Sequence, residues 1–198
     1  MRSISWIGLR FSALLFLSAL AVFTPSGLHA PLYSWAPADL PEPAFVANDP
    51  LSRLERPETQ ERLVAHISEL FRRPAAEVRE TLQAVVEAAR ETQLSPFLLL
   101  GMVAQESSFR PWVRSSYGAV GLMQVVERFH HQKLKAAAEE HDATPIRTNV
   151  RVGSAILREY ADRSGGDLDA ALQRYSGKAS EYPQKVEAYS KAFEDLSH

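Results

Sequence analysis

The chain contains no cysteine. It therefore has no disulfides, and it lacks the lipid-acceptor thiol of a bacterial lipoprotein signal. Blocks of basic residues are missing too. Formal net charge is −2 at pH 7 and the Arg and Lys residues are scattered, which gives no support to a nucleic-acid partner. Internal repeats and a phosphate-binding glycine motif are absent as well. His130 and His131 are adjacent, so on a helix they point in different directions and cannot form an i, i+4 metal pair. His141 stands alone, and neither a metal nor a cofactor is expected.

What is present begins with an address. Met1–Ala30 has a basic start (Arg2, Arg10), an apolar run from Phe11 to Phe23, then Pro25, Gly27 and Leu28-His29-Ala30. This reads as a secretory signal peptide with an imperfect cleavage site, because Leu28 is bulky and Pro31 follows Ala30. The apolar run is shorter than the roughly 20 residues of a spanning helix, so an uncleaved anchor is the lesser reading. Residues 31–50 hold five prolines with little periodicity and read as a tether.

Residues 51–198 are helical in pattern throughout. Leu63, Ile67, Leu70 and Phe71 share one face, and Val78, Leu82, Val85, Val86 and Ala89 do so after Pro74. Gly165-Gly166 ends a later helix, Asp167 caps the next, and Leu168, Ala171, Leu172 and Tyr175 form its buried stripe. Tyr182, Val186, Tyr189 and Phe193 mark a closing helix. The expectation is one all-α domain, large enough to bury a core without staples.

Its chemistry is concentrated between Ser95 and Gln124. Ser95 as N-cap and Pro96 at the first helical position predict a helix through Phe97, Leu98, Leu99, Leu100, Met102 and Val103 to Ser107. That helix is apolar nearly all round, hence buried, and its only long polar side chains are Gln105 and Glu106 in the last turn. A carboxylate there faces the negative end of the helix dipole. Dipole and desolvation both favour the protonated form, which suits Glu106 to proton donation near neutral pH.

Glu106-Ser107-Ser108-Phe109 leads on to Gly118-Ala119-Val120-Gly121-Leu122-Met123-Gln124. These two blocks, in this order and spacing, resemble the soluble lytic transglycosylase domain, a lysozyme-like fold that cleaves the peptidoglycan glycan strand. Asn149 and Gly153 resemble the family's Asn-hydrophobic-x-x-Gly helix. Tyr175-Ser176-Gly177 stands where the family has Tyr-Asn and then Gly, so Ser176 replaces an amide. A second departure follows Gln124, where Val125-Val126-Glu127 lacks the family's Met-Pro turn.

The resemblance implies a role for each matching position. Glu106 is the acid and base, and Ser115 the serine that hydrogen-bonds near it. Met123 and Gln124 line the cleft, while Tyr175 steadies the carboxyl or the N-acetyl group. Ser107, Gly118, Gly121, Asn149 and Gly153 belong to the motif's framework. Asn149 either caps its helix or borders the sugar, capping being preferred, and Gly153 marks close helix packing, since glycine there costs about 1 kcal/mol relative to alanine.

No Asp or Glu lies between Ser107 and Val126, so the second carboxylate of a lysozyme-type hydrolase would have to come from farther on, for example Glu127 or Glu139. The expectation is an exported, periplasmic, monomeric murein transglycosylase that forms 1,6-anhydro-muramic ends and serves an envelope-spanning machine. A hydrolytic muramidase, a glycan-binding module and a membrane-tethered scaffold are the alternatives.

Overall fold

A computed structural model describes residues 49–140 and 143–198. The expected signal peptide, residues 1–30, and residues 31–48 of the expected tether lie outside them. The tether's last two residues belong to the helical domain. Asp49 accepts hydrogen bonds from the Leu51 and Ser52 amides, and Pro50 opens α1 (Pro50–Glu55).

Two amphipathic helices follow, α2 (Pro57–Phe71) and α3 (Ala75–Thr92). In α2 the buried stripe is Leu63 and Ile67 continued by Phe71, whose ring meets Phe109 at 5.1 Å. Leu70 is 55% exposed, a correction to the sequence pattern. Leu70 lies only about 20° from Leu63 on the helical wheel, so the periodicity holds, but it stands in the last turn of α2, where the covering surface ends.

The centre of the core is α4 (Pro96–Ser107). Phe97, Leu99, Leu100, Met102 and Val103 are all fully buried, as an all-round apolar helix requires. Ser95 occupies the N-cap position, yet its side chain makes no capping bond; the helix start rests on Pro96 with its preset φ. Gly101 faces α8 (Tyr182–Asp195), and a Cβ there would lie 2.6 Å from the Val186 carbonyl oxygen and 3.0 Å from the Ser190 amide. Glycine thus lets two antiparallel backbones touch.

Between α4 and the next helix the chain forms a hairpin that interrupts the all-α pattern. β1 (Ala119–Val120) pairs antiparallel with β2 (Val125–Val126), Ala119 opposite Val126 and Val120 opposite Val125. α5 (Glu127–Ala138) starts immediately, breaks at His130 (φ −130°) and buries no residue. The long α6 (Pro145–Arg163) packs on α3 and carries the hairpin on its first turns.

The short α7 (Leu168–Tyr175) is capped by Asp167, which accepts from the Ala170 amide. Leu168, expected in the buried stripe, is 40% exposed, because it is the first residue after the cap. Burial begins one turn later, at Ala171 and Leu172.

Candidate active site

Glu106 ends the buried face of α4 and is mostly withdrawn from solvent. The backbone immediately after it is unusual. Ser108 (φ 52°) and Phe109 (φ 56°) are both left-handed, a conformation that costs non-glycine residues energy and persists only where surroundings impose it. Here the Phe109 ring imposes it, buried against Phe71 and edge-on to Phe193 at 6.0 Å. Ser107 donates back to the Val103 carbonyl at 3.1 Å and closes the helix internally.

The partner of the carboxyl comes from α8. The Tyr182 hydroxyl donates to Glu106 Oε1 at 2.6 Å. Helix register explains the meeting. Gly101 touches α8 at Val186 and Ser190, and five residues forward along α4 lead to Glu106 just as four back along antiparallel α8 lead to Tyr182. Burial pushes the Glu106 carboxyl above the ordinary carboxylate range, and the Tyr182 hydrogen bond pulls the other way. Burial also raises the Tyr182 phenol, with the Glu106 charge adding to it, so this hydroxyl stays a donor.

The second tyrosine is placed differently from the sequence expectation. Tyr175 donates to the Met123 carbonyl at 2.8 Å rather than to the carboxyl. Burial first, then the nearby Glu106 charge, raises its phenol far above the usual value. Its ring lines a groove of about 300 Å³ together with Gln124, Ser176, Tyr117 and Phe129. A second groove of about 270 Å³ adjoins Tyr182, against Gln105 and Lys185. A larger one, about 480 Å³ beside Trp112 and Leu134, is lined by neither the acid nor these phenols, so volume alone does not mark the chemistry.

A family model described as Transglycosylase SLT domain matches residues 83–195, more than half of the chain. The chain belongs to that family. It is also similar to the protein named Transglycosylase of Enterobacteria phage PRD1, 34% identical over 113 residues, which cover 52% of this chain and 40% of the phage protein. The match thus spans less than half of the relative's length. No solved structure matches.

Within this SLT domain, the hairpin turn is held by residues the motif supplies. Asn149 accepts from the Met123 amide at 2.8 Å and donates to the Val120 carbonyl at 2.9 Å. The helix cap is Thr144, which accepts from the Arg147 amide; that corrects the preferred reading of Asn149. Gly121 (φ 76°) has no room for a side chain, since a Cβ would lie 2.5 Å from the Asn149 amide. At Gly153 a Cβ would meet Met123 at 2.7 Å and the Tyr175 hydroxyl at 3.0 Å. Its close approach is therefore to the Met123 side chain in the turn first, and then to the Tyr175 hydroxyl of α7.

Met123 is completely buried, so its side chain supports the cleft from beneath instead of lining it. Ser115 accepts from the Ala119 amide at 3.0 Å, which braces the loop at Gly118 (φ 87°), and makes no bond to Glu106. Gln124, at φ 47°, donates to the Gly121 carbonyl at 2.9 Å while lining the groove. The Ser176 hydroxyl is engaged in its own turn, donating to the Gln173 carbonyl and accepting from the Ala179 amide.

Neither distant carboxylate joins the acid. Glu127 pairs with Arg114 at 2.6 Å, and that bond holds its carboxyl below the ordinary range. Glu139 lies on the surface near Lys135 at 3.8 Å. Among the described residues no other carboxylate contributes to the raised proton affinity of Glu106. The geometry therefore assembles one acid with one buried phenol on it.

Tyr182 is the residue that sequence reasoning missed. It stands in the helical stripe of α8 and reads there as core. The signal that could have found it was Gly101, an isolated glycine inside an apolar helix, which marks a close crossing and fixes which turn of α8 faces Glu106.

Proposed function

We propose that this protein is a lytic transglycosylase of the murein glycan strand. Glu106, protonated, gives its proton to the glycosidic oxygen between N-acetylmuramic acid and N-acetylglucosamine. The C1–O bond breaks, the muramoyl C6 oxygen closes on C1, and the Glu106 carboxylate takes the C6 hydroxyl proton. The product is a 1,6-anhydro end, no water is consumed, and the acid is restored.

The observation that carries this reading is the pairing of a mostly buried Glu106 with the Tyr182 hydroxyl at 2.6 Å, with Glu127 bound elsewhere. A direct-displacement or water-activating hydrolase places a second carboxyl about 5–10 Å from the first. One group whose environment favours the proton, yet which keeps a donor for the ionised form, suits a donate-then-accept cycle. Family membership supports transglycosylase chemistry. The N-terminal pattern supports export to the periplasm, where this substrate lies and where an envelope-spanning machine would use local wall cutting.

Mass spectrometry of the products released from purified peptidoglycan tests it. Anhydro-muropeptides are expected from the parent, with nearly all of them lost in Glu106→Gln, since positioned acid–base catalysis alone contributes about 10²–10⁴-fold. Reducing-end products would instead establish hydrolysis.

A further inference from the structure

The groove beside Tyr175 carries charge of one sign. Among its described lining residues Arg174 carries charge and none is Asp or Glu, in a chain whose net charge is −2; burial favours the neutral ring of His130. Two large aromatic rings stand exposed at its rim, Tyr117 at 61% and Phe129 at 64%. Burial does not account for either.

Arg128 connects them. Its guanidinium carbon lies 3.9 Å from the centre of the Tyr117 ring and 4.7 Å from that of Phe129. Among the described residues no carboxylate is paired with it; Arg114, nearby in the fold, takes Glu127. Stacking uses the flat faces of a guanidinium and leaves its N–H edge open, and that edge matches a carboxylate bidentately. The rings hold the side chain in place, so less rotamer freedom is lost on binding.

Resting on the transglycosylase reading, we propose that Tyr117, Arg128 and Phe129 form an anionic-sugar subsite. Arg128 takes a carboxylate borne by a muramoyl residue while the exposed rings support the sugar face. Arg174, over Tyr160 at 5.8 Å, adds positive potential in the same groove. The site selects carboxylate-bearing strands over neutral N-acetylglucosamine polymers. The carboxylate has two sources, the stem peptide or the lactyl group of a stripped muramoyl unit.

Steady-state cleavage by the full chain tests this. Parent, Arg128→Gln and Arg79→Gln are compared on strands carrying stem peptides, on amidase-stripped strands, and on strands whose carboxylates are capped by carbodiimide amidation. Arg79, near the start of α3 and paired with Glu61 of α2, controls for net charge. Arg128→Gln is expected to raise KM about five-fold, the upper end for one exposed charge contact, and to flatten its salt dependence. Arg79→Gln should keep the parent KM.

Capping should bring the parent to the Arg128→Gln value. An Arg128 effect on strands that carry stem peptides, lost on stripped strands, assigns the stem-peptide carboxylate; one that emerges on stripped strands, where the amidase has freed the lactyl carboxylate, assigns the lactyl group. If the parent cuts strands while Arg128→Gln and Arg79→Gln share one KM and one salt slope, the subsite is refuted alone. Strands left uncut by the parent would overturn this inference and the transglycosylase reading together.

Discussion

Replacing Tyr182 by Phe removes one oxygen and little else. The ring is 6% exposed at the first turn of α8, so phenylalanine keeps the packing and the helix start at Pro183 is untouched. What disappears is the hydroxyl donated to Glu106 Oε1 at 2.6 Å. A hydrogen bond to a charged group contributes about 1.5–3 kcal/mol. Because the bond is strongest when Glu106 is ionised, its loss falls on the stage after proton donation, and at about 1.36 kcal/mol per factor of ten the turnover drops about 10- to 150-fold.

The same substitution moves the pH profile in a defined direction. Burial raises the Glu106 carboxyl and the Tyr182 bond lowers it, so removing the bond leaves burial unopposed. The alkaline limb of kcat/KM, which reports loss of the proton from the acid in the free enzyme, then moves to higher pH. The assay is anhydro-muropeptide release across pH for parent and Tyr182→Phe, with unfolding midpoints to show that both are folded. A folded variant with the parent plateau and the parent alkaline limb would refute the role given to Tyr182.

Glu106→Gln should stabilise the fold at neutral pH while abolishing turnover. A carboxyl whose folded pKa is raised contributes its full stability below the unfolded value, near 4.5. It loses that contribution as pH rises through the folded pKa, at about 1.4 kcal/mol for each pH unit separating the two values. Gln does not ionise, so urea unfolding should show its advantage opening towards pH 7 and closing at about pH 4. Asn149→Ala removes partners from the Met123 amide and the Val120 carbonyl; a loss of about 2–4 kcal/mol and a larger fractional loss of turnover are expected from unfolding and cleavage assays. Gly153→Ala gains about 1 kcal/mol of helix propensity but drives a methyl to 2.7 Å from Met123, so a net lower midpoint is expected. Gly101→Ala should part α4 from α8 at Val186, lowering both stability and turnover, whereas an unchanged midpoint would show that the crossing is not tight.

Much of the fold follows from local chemistry. α4 runs from Pro96 to Ser107 as the proline and the apolar run predict, and Asp167 caps α7. The misses have physical causes. Leu70 and Leu168 lie at helix ends, where periodicity continues but the neighbouring surface stops. Asn149 has the chemistry of a cap, yet a hairpin 26 residues earlier claims it. The hairpin itself has two-residue strands, too short to show alternation. Of the candidate site, Glu106 is legible because a lone carboxyl at the end of an apolar helix contradicts its surroundings. Tyr182 is not, because its contact joins residues 76 apart and depends on the α4–α8 crossing.

That crossing bears on why a single acid suffices in the proposed reaction. An enzyme with two carboxyls can drive their proton affinities apart and assign each one role. One carboxyl that must donate and then accept works best with its affinity near the working pH, so neither extreme serves it. Burial at the end of α4 moves Glu106 up, and Tyr182 limits the rise. The two influences are set by the same helix pair: closer packing of α8 excludes more water from the carboxyl and also brings the phenol to 2.6 Å. Looser packing would relax both together, returning Glu106 towards an ordinary surface carboxylate. The glycine at position 101 thus fixes, through one backbone contact, how strongly the acid holds its proton and how well its anion is received.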